Sequence, residues 1–208
     1  MLTLAYLISF LDRQILALMV GPIKADLQLS DTEISLLMGA AFSLFYAFMG
    51  IPLGRLADRT NRRNIIIIGI TFWSLMTAAC GLASKFIHLF VARIGLGAGE
   101  ASLTPSAISI ISDYFSRRER GRAIAVYNMG VSLGTGIAMV LGGAIISVVA
   151  DSPSVEVPML GTIRTWQYIF FIVSIPGLLV ATVIFFTIFE PSRTETIETN
   201  ETSFSIAF

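Results

Sequence analysis

Arg93-Ile94-Gly95-Leu96-Gly97-Ala98-Gly99-Glu100-Ala101-Ser102-Leu103-Thr104-Pro105 lies inside an apolar run, Phe86–Tyr114, that is long enough to cross a bilayer. It nevertheless carries a cation, an anion, three glycines and a proline. Charges at that depth are rare and face a cavity or a bundle interior, so they mark a functional site by default. Read as one helix, positions 93, 97, 100 and 104 share a face. That face reads Arg93, Gly97, Glu100, Thr104. Arg93 and Glu100 fall roughly 10 Å apart along the axis, too far for a tight pair. Both are expected to face one cavity, with Gly97 leaving space between them and Thr104 lining it. The neighbouring face, Gly95, Gly99, Ser102 and Ser106, is all small and is expected to pack closely on another helix. Pro105 removes the hydrogen bond to the Ala101 carbonyl and permits a kink.

Working outward, the composition agrees with a membrane protein. The chain has 208 residues, of which 55% are hydrophobic and 13% charged, against about 25% charged in soluble domains. The one cysteine, Cys80, sits in an apolar run and reads as a buried small hydrophobe. With one histidine and one cysteine, no metal-ligand set is expected, and no cofactor motif or nucleic-acid-binding patch is visible. The N-terminus lacks a basic n-region, and Asp12-Arg13 interrupts its apolar run, so it does not read as a cleavable signal peptide.

About twenty apolar residues cross the hydrocarbon core as a helix. By that measure the spans are Leu2–Val20, Ile34–Leu56, Ile65–Ser84, Phe86–Tyr114, Ala123–Val149 and Thr165–Phe189. The expected fold is therefore all-α and integral to the membrane, a six-helix bundle over 1–189 with a polar tail or inter-half linker over 190–208. Eight arginines (55, 59, 62, 63, 117, 118, 120 and 122) fall on one side, against Lys24, Lys85 and Arg164 on the other. The positive-inside rule then places both termini in the cytoplasm of a multi-pass cell-membrane protein. There the triplet Asn200-Glu201-Thr202 would go unglycosylated. Trp166 and Tyr168 read as interfacial anchors, and Pro176-Gly177 as a kink.

Six spans with both ends on one side form half of a common transporter architecture, in which each half holds two three-helix repeats of inverted topology. Asp12-Arg13 and Arg93…Glu100 would occupy the leading helix of each repeat. Shielding from water favours the neutral form of a carboxyl, which makes Asp12 and Glu100 candidate proton carriers. Arg93 could tune Glu100 or bind an anionic group. Arg13 points about 100° away from Asp12 and is expected to serve helix packing instead. Gly54-Arg55-Leu56-Ala57-Asp58-Arg59-Thr60-Asn61-Arg62-Arg63 places one carboxylate among four guanidiniums, a turn suited to exchanging ion pairs between two arrangements. Gly130, Gly134, Ala138 and Gly142 recur every four residues and point to close helix packing.

The decapeptide at 54–63 resembles the loop motif of the major facilitator superfamily, and Arg93-x-x-x-Gly97-x-Gly99 resembles its fourth-helix motif. More narrowly, Asp12-Arg13, Gly97-Ala98-Gly99-Glu100-Ala101-Ser102, Ile111-Ser112-Asp113-Tyr114-Phe115 and Glu190-Pro191-Ser192-Arg193 are similar to Spinster-like members. The resemblance implies alternating-access transport of lysolipid-like substrates, with Asp12, Arg93 and Glu100 at the proton-coupling positions. It also implies a cytoplasmic gate at Gly54, Asp58, Arg59, Arg62 and Arg63. Two positions depart from the pattern. Asn61 stands where the loop motif carries glycine, and Thr135 where the antiporter motif carries proline, so antiport does not follow. Anion-transporting relatives share the acidic-Arg pair and Gly-Glu-Ala, which keeps small organic anions as the alternative substrate.

The resemblance covers only the N-terminal half of a family member. The expectation is a half-transporter partnered by lipid, protons, an amphipathic anion and a second six-helix half or partner chain. The chain would be a truncated product with a clipped start, or one whose other half is a separate polypeptide. The competing reading is a non-transporting fragment or assembly partner with structural charges. An enzyme is not expected, because no nucleophile stands with a base.

Overall fold

The computed structural model describes residues 1–150, 155–157 and 161–193. Among these, six helices are long and apolar enough to cross a membrane. The first is Leu2–Leu27, the second Asp31–Arg59, the third Arg62–Gly81, the fifth Arg117–Ala150 and the sixth Thr165–Thr187. The fourth is split into Phe86–Glu100 and Leu103–Tyr114. The fifth connection adds one element to the all-helical expectation, a hairpin pairing Val155–Val157 antiparallel with Gly161–Ile163. The tail beyond 193, with its Asn200 triplet, lies outside the described residues.

Three helices run past the apolar limits because local signals extend them. The first continues through Pro22 to Leu27, and its final turns bury Ile23 in the core. The second starts at Asp31, where Ser30 and Glu33 form a reciprocal capping box that satisfies two orphan N–H groups. One turn of π-helix, Leu36–Ala40, then interrupts it. The fifth starts at Arg117, before its apolar stretch, where Ser116 and Glu119 repeat the same Ser-x-x-Glu spacing and hydrogen-bond to each other at 2.9 Å.

The first helix packs on the fifth, the second on the fourth, the third on the fourth and sixth, and the first on the sixth. Exchanging first with fourth, second with fifth and third with sixth maps this set of pairs onto itself, which is the pairing two inverted three-helix repeats require. Two apolar clusters fill the bundle. One contains Leu11, Ile15, Leu16, Met19, Leu89 and Phe170; the other contains Ala5, Ile8, Ile70, Trp73, Leu96 and Leu103. The intramembrane charges lie between them.

Small residues set the helix separations. A Cβ on Gly99 would stand 3.0 Å from the Cβ of Trp73, and one on Gly95 would stand 2.6 Å from the sulfur of Met76, so both glycines seat the fourth helix on the third. In the fifth helix a Cβ on Gly130 would stand 2.7 Å from the Thr3 carbonyl oxygen, on Gly134 2.6 Å from that of Leu7, and on Gly142 2.0 Å from Leu18. These three face the first helix. Gly136, on the opposite face, has open space around its Cα. Gly134→Ala therefore has to displace backbone and is expected to cost about 1–3 kcal/mol. Gly136→Ala gains helix propensity, worth up to about 1 kcal/mol, with nothing to displace. Thermal melting in detergent should show the first variant lowered and the second unchanged or raised.

Candidate functional site

The site is built on the break in the fourth span. The helix ends at Glu100, the Ala101 and Ser102 amides bond back to the carbonyls of Gly97 and Gly99 at 3.2 Å, and the helix resumes at Leu103. The proline accounts for this: Pro105 has no N–H to offer the Ala101 carbonyl. Arg93 to Pro105 is thus two helical pieces rather than one. Glu100 occupies the C-terminal end of the first piece, where the helix dipole disfavours an anion. Its stabilisation comes from other helices.

Glu100 is buried, and its Oε2 accepts from Ser9 Oγ at 2.6 Å and Arg13 Nε at 2.6 Å, while a second guanidinium nitrogen of Arg13 also lies 2.6 Å away. The expectation that Arg13 serves packing outside the cavity is therefore corrected. The 100° offset fixes only the Cα direction, and the long arginine side chain reaches around the helix to the carboxylate. Among the described residues, the other Glu100 oxygen, both oxygens of Asp12 and the Arg93 Nε are buried without a hydrogen-bond partner. Asp12 nonetheless lies within electrostatic range of Arg93, Glu100 and Arg13, and its carboxylate faces the Trp73 indole N–H, which is likewise buried without a hydrogen-bond partner among the described residues. Two carboxylates and two guanidiniums thus share one layer between the apolar clusters. Arg13 and Arg93 also line a cavity of about 290 Å³, with Gln14, Leu16, Met38, Phe42 and Ser43 among its walls.

Two residues assigned to the cavity sit elsewhere. A Cβ on Gly97 would stand 2.5 Å from the carbonyl oxygen of Phe42, so Gly97 is where the second helix crosses on the fourth and leaves no open space. Thr104 Oγ1 lies 3.3 Å from the Tyr127 hydroxyl, behind the break. Tyr127 itself is buried and stacks on Tyr6 at 4.5 Å between centroids.

At the arginine-rich end, Asp58 and Arg59 are exposed, and among the described residues Asp58 pairs with none of its neighbouring arginines. Gly54 meets Pro105 at ordinary contact distance, 3.9 Å from a built Cβ. The pairing lies with Arg62, which is buried. Its guanidinium donates to Glu190 Oε1 at 2.7 Å, Ser109 Oγ at 3.0 Å and the Pro191 carbonyl at 3.1 Å, and also to Asp113. The Arg63 amide donates to Glu190 Oε2 at 2.9 Å, and its guanidinium contacts the Phe185 carbonyl and lies over the Phe185 ring at 4.9 Å. Arg193 closes the cluster, donating to the carbonyls of Ala57 at 2.9 Å and Thr60 at 2.8 Å. Spacing alone could not join carboxylates at 113 and 190 to an arginine at 62. The available signal was that both sit in segments singled out by resemblance.

At the opposite end Trp166 is buried, with Nε1 donating to Asp26 Oδ2 at 2.8 Å beside Arg164. Its ring is thus packed within the bundle rather than exposed to lipid, with its N–H held by a partly exposed carboxylate at the helix ends. Tyr168 is exposed.

The sequence profile of the Major Facilitator Superfamily matches residues 2–207. The chain is 33% identical over 181 residues to the probable L-galactonate transporter of Escherichia coli K12, covering 87% of this chain and 36% of that protein. It is 31% identical over 152 residues to the sphingosine-1-phosphate transporter of Xenopus tropicalis, covering 72% of this chain and 29% of that one. A crystal structure of a bacterial homologue of the human lysosomal transporter Spinster, inward-facing and occupied, superposes with a TM-score of 0.85 at 39% identity, over 95% of this chain and 45% of that chain. The chain thus spans about a third of the length of the curated relatives and less than half of the solved one.

Arg62 is expected to be the costliest single loss at the arginine-rich end. Arg62→Gln removes the donor shared by two carboxylates, at about 1–3 kcal/mol or more. Arg62→Lys should recover only part, because an ammonium cannot reproduce the planar fork. Thermal melting of the two variants checks the order.

Proposed function

The chain belongs to the Major Facilitator Superfamily, and from that membership we propose that it forms the N-terminal half of a Spinster-like, proton-coupled secondary transporter working by alternating access. Residues 1–189 make the bundle and 190–208 begin the link to a second six-helix half, in the same polypeptide or a partner chain. The arginine-rich end and both termini face the cytoplasm. In such architectures the substrate sits between the halves near the bilayer midplane.

The observation that carries this reading is the buried layer Asp12, Arg13, Arg93 and Glu100, in which Glu100 has one oxygen paired and the other without a partner. Four ionisable groups from the leading helices of the two repeats thus meet in one place. With both carboxylates ionised the layer is neutral. A proton on either one leaves it net positive, and an anion beside Arg13 and Arg93 then restores balance. That stoichiometry favours co-transport of an anion with a proton. The cavity walls Leu16, Met38 and Phe42 suit an amphipathic anion, lysolipid-like or of the sphingosine-phosphate kind, and a small sugar acid is the alternative.

The test is uptake into proteoliposomes by the complete transporter carrying this half, screened against a lysolipid phosphate and a sugar acid. Glu100→Gln is expected to abolish uptake driven by a proton gradient while leaving substrate exchange without a gradient. Gradient-driven uptake that survives the substitution would exclude Glu100 as the proton site.

A further inference from the structure

The Arg13 guanidinium has a second set of neighbours that the ion pair does not explain. Its central carbon lies 4.8 Å from the ring centroid of Phe10, 4.6 Å from that of Phe42 and 4.9 Å from that of Tyr46, whose hydroxyl also interacts with the guanidinium. All three distances fall inside the range of about 6 Å over which a ring face attracts a cation. Phe10 precedes Arg13 by three residues on the first helix, a spacing that puts both on one face. Phe42 and Tyr46 are one turn apart on the second helix and stack on each other at 5.5 Å. Gly97 brings them in: because the fourth helix has no side chain there, the Phe42 carbonyl sits against its backbone, one turn before Glu100. The same close crossing delivers both the rings and the carboxylate to Arg13.

We propose that Phe10, Phe42 and Tyr46 are positioning residues, an aromatic cradle that holds the Arg13 guanidinium in the cavity independently of Glu100. The inference rests on the reading of Glu100 as a proton site. When Glu100 is neutral its attraction for Arg13 is largely lost, and a long cationic side chain at that depth would otherwise turn toward water. The cradle keeps the cation facing the cavity through the whole proton cycle, available to an anion.

The test uses isosteric rings, so that shape is conserved while the attraction fades. Phe42 is replaced by phenylalanine carrying one, two and three ring fluorines, in the intact protein and in its Glu100→Gln and Arg13→Gln forms, and thermal melting is followed in detergent. The expected result is a stepwise fall in melting temperature with each fluorine, steeper with Glu100→Gln than without it, and absent with Arg13→Gln. A flat series with Arg13 present, or an equal fall without Arg13, would overturn the cradle, because the ring would then act by packing alone. Tyr46→Phe should keep the trend and Tyr46→Leu should weaken the dependence on Glu100; equal effects of these two would also count against it. Melting does not require proton transport. A fluorine trend that persists alongside gradient-driven uptake by Glu100→Gln would therefore retire the proton-site reading and leave the cradle standing.

Discussion

A bilayer interior offers no water to a charge, so a carboxylate placed there must find its partner within the bundle. In this chain that constraint is met by Arg13 reaching from the first helix to Glu100 at the broken end of the fourth. The pair joins the leading helices of the two repeats across the core. Much of the surrounding structure follows from it. The break at Ala101-Ser102 places Glu100 at a helix end, and Gly97 admits the second helix and its rings. Ser9 supplies the additional donor to the same oxygen.

The two charge clusters obey different rules. At the arginine-rich end Arg62 has its donors satisfied by Asp113, Glu190, Ser109 and a backbone carbonyl, which ties the third helix to the fourth and to the segment after the sixth. In the middle of the bundle, Asp12 and one oxygen of Glu100 are left without hydrogen-bond partners among the described residues. A fully satisfied network fixes geometry, whereas an incompletely satisfied one leaves room for a proton or a ligand. The difference is one of degree, because Arg63 Nε at the arginine-rich end is also buried without a hydrogen-bond partner among the described residues.

Much of this was legible in the sequence. Apolar run lengths gave the six spans, Pro105 gave a kink where the structure has a full break into two helical pieces, and the small-residue face of Gly95, Gly99, Ser102 and Ser106 gave close packing on a neighbour, which is the third helix. Asp12, Arg93 and Glu100 lie within electrostatic range of one another, but of the three it is Arg93 that lines the cavity, while Asp12 and Glu100 are not among its walls. What failed were inferences from helical angle alone. Arg13 was turned away by its Cα direction although its side chain is long enough to return, and Gly97 was given to open space although the same absence of a side chain serves a close crossing equally well. The Asp113–Arg62–Glu190 cluster stayed hidden because its members come from three distant segments, and no local spacing encodes their meeting. Trp166 differs for a related reason: an aromatic residue near a span end either faces lipid or packs between helices, and its position along the chain does not say which.

The central claim, that Arg13 and Glu100 act as one coupled pair joining the two repeats, is tested most directly by a double-mutant cycle on thermal stability with Arg13→Gln, Glu100→Gln and both together. Removing one member of a buried pair typically costs about 3–5 kcal/mol, while replacing both is far milder. The double variant is therefore expected to be more stable than Arg13→Gln alone. If the two effects simply add, the pair is incidental and the fourth span is held in the bundle by its glycines.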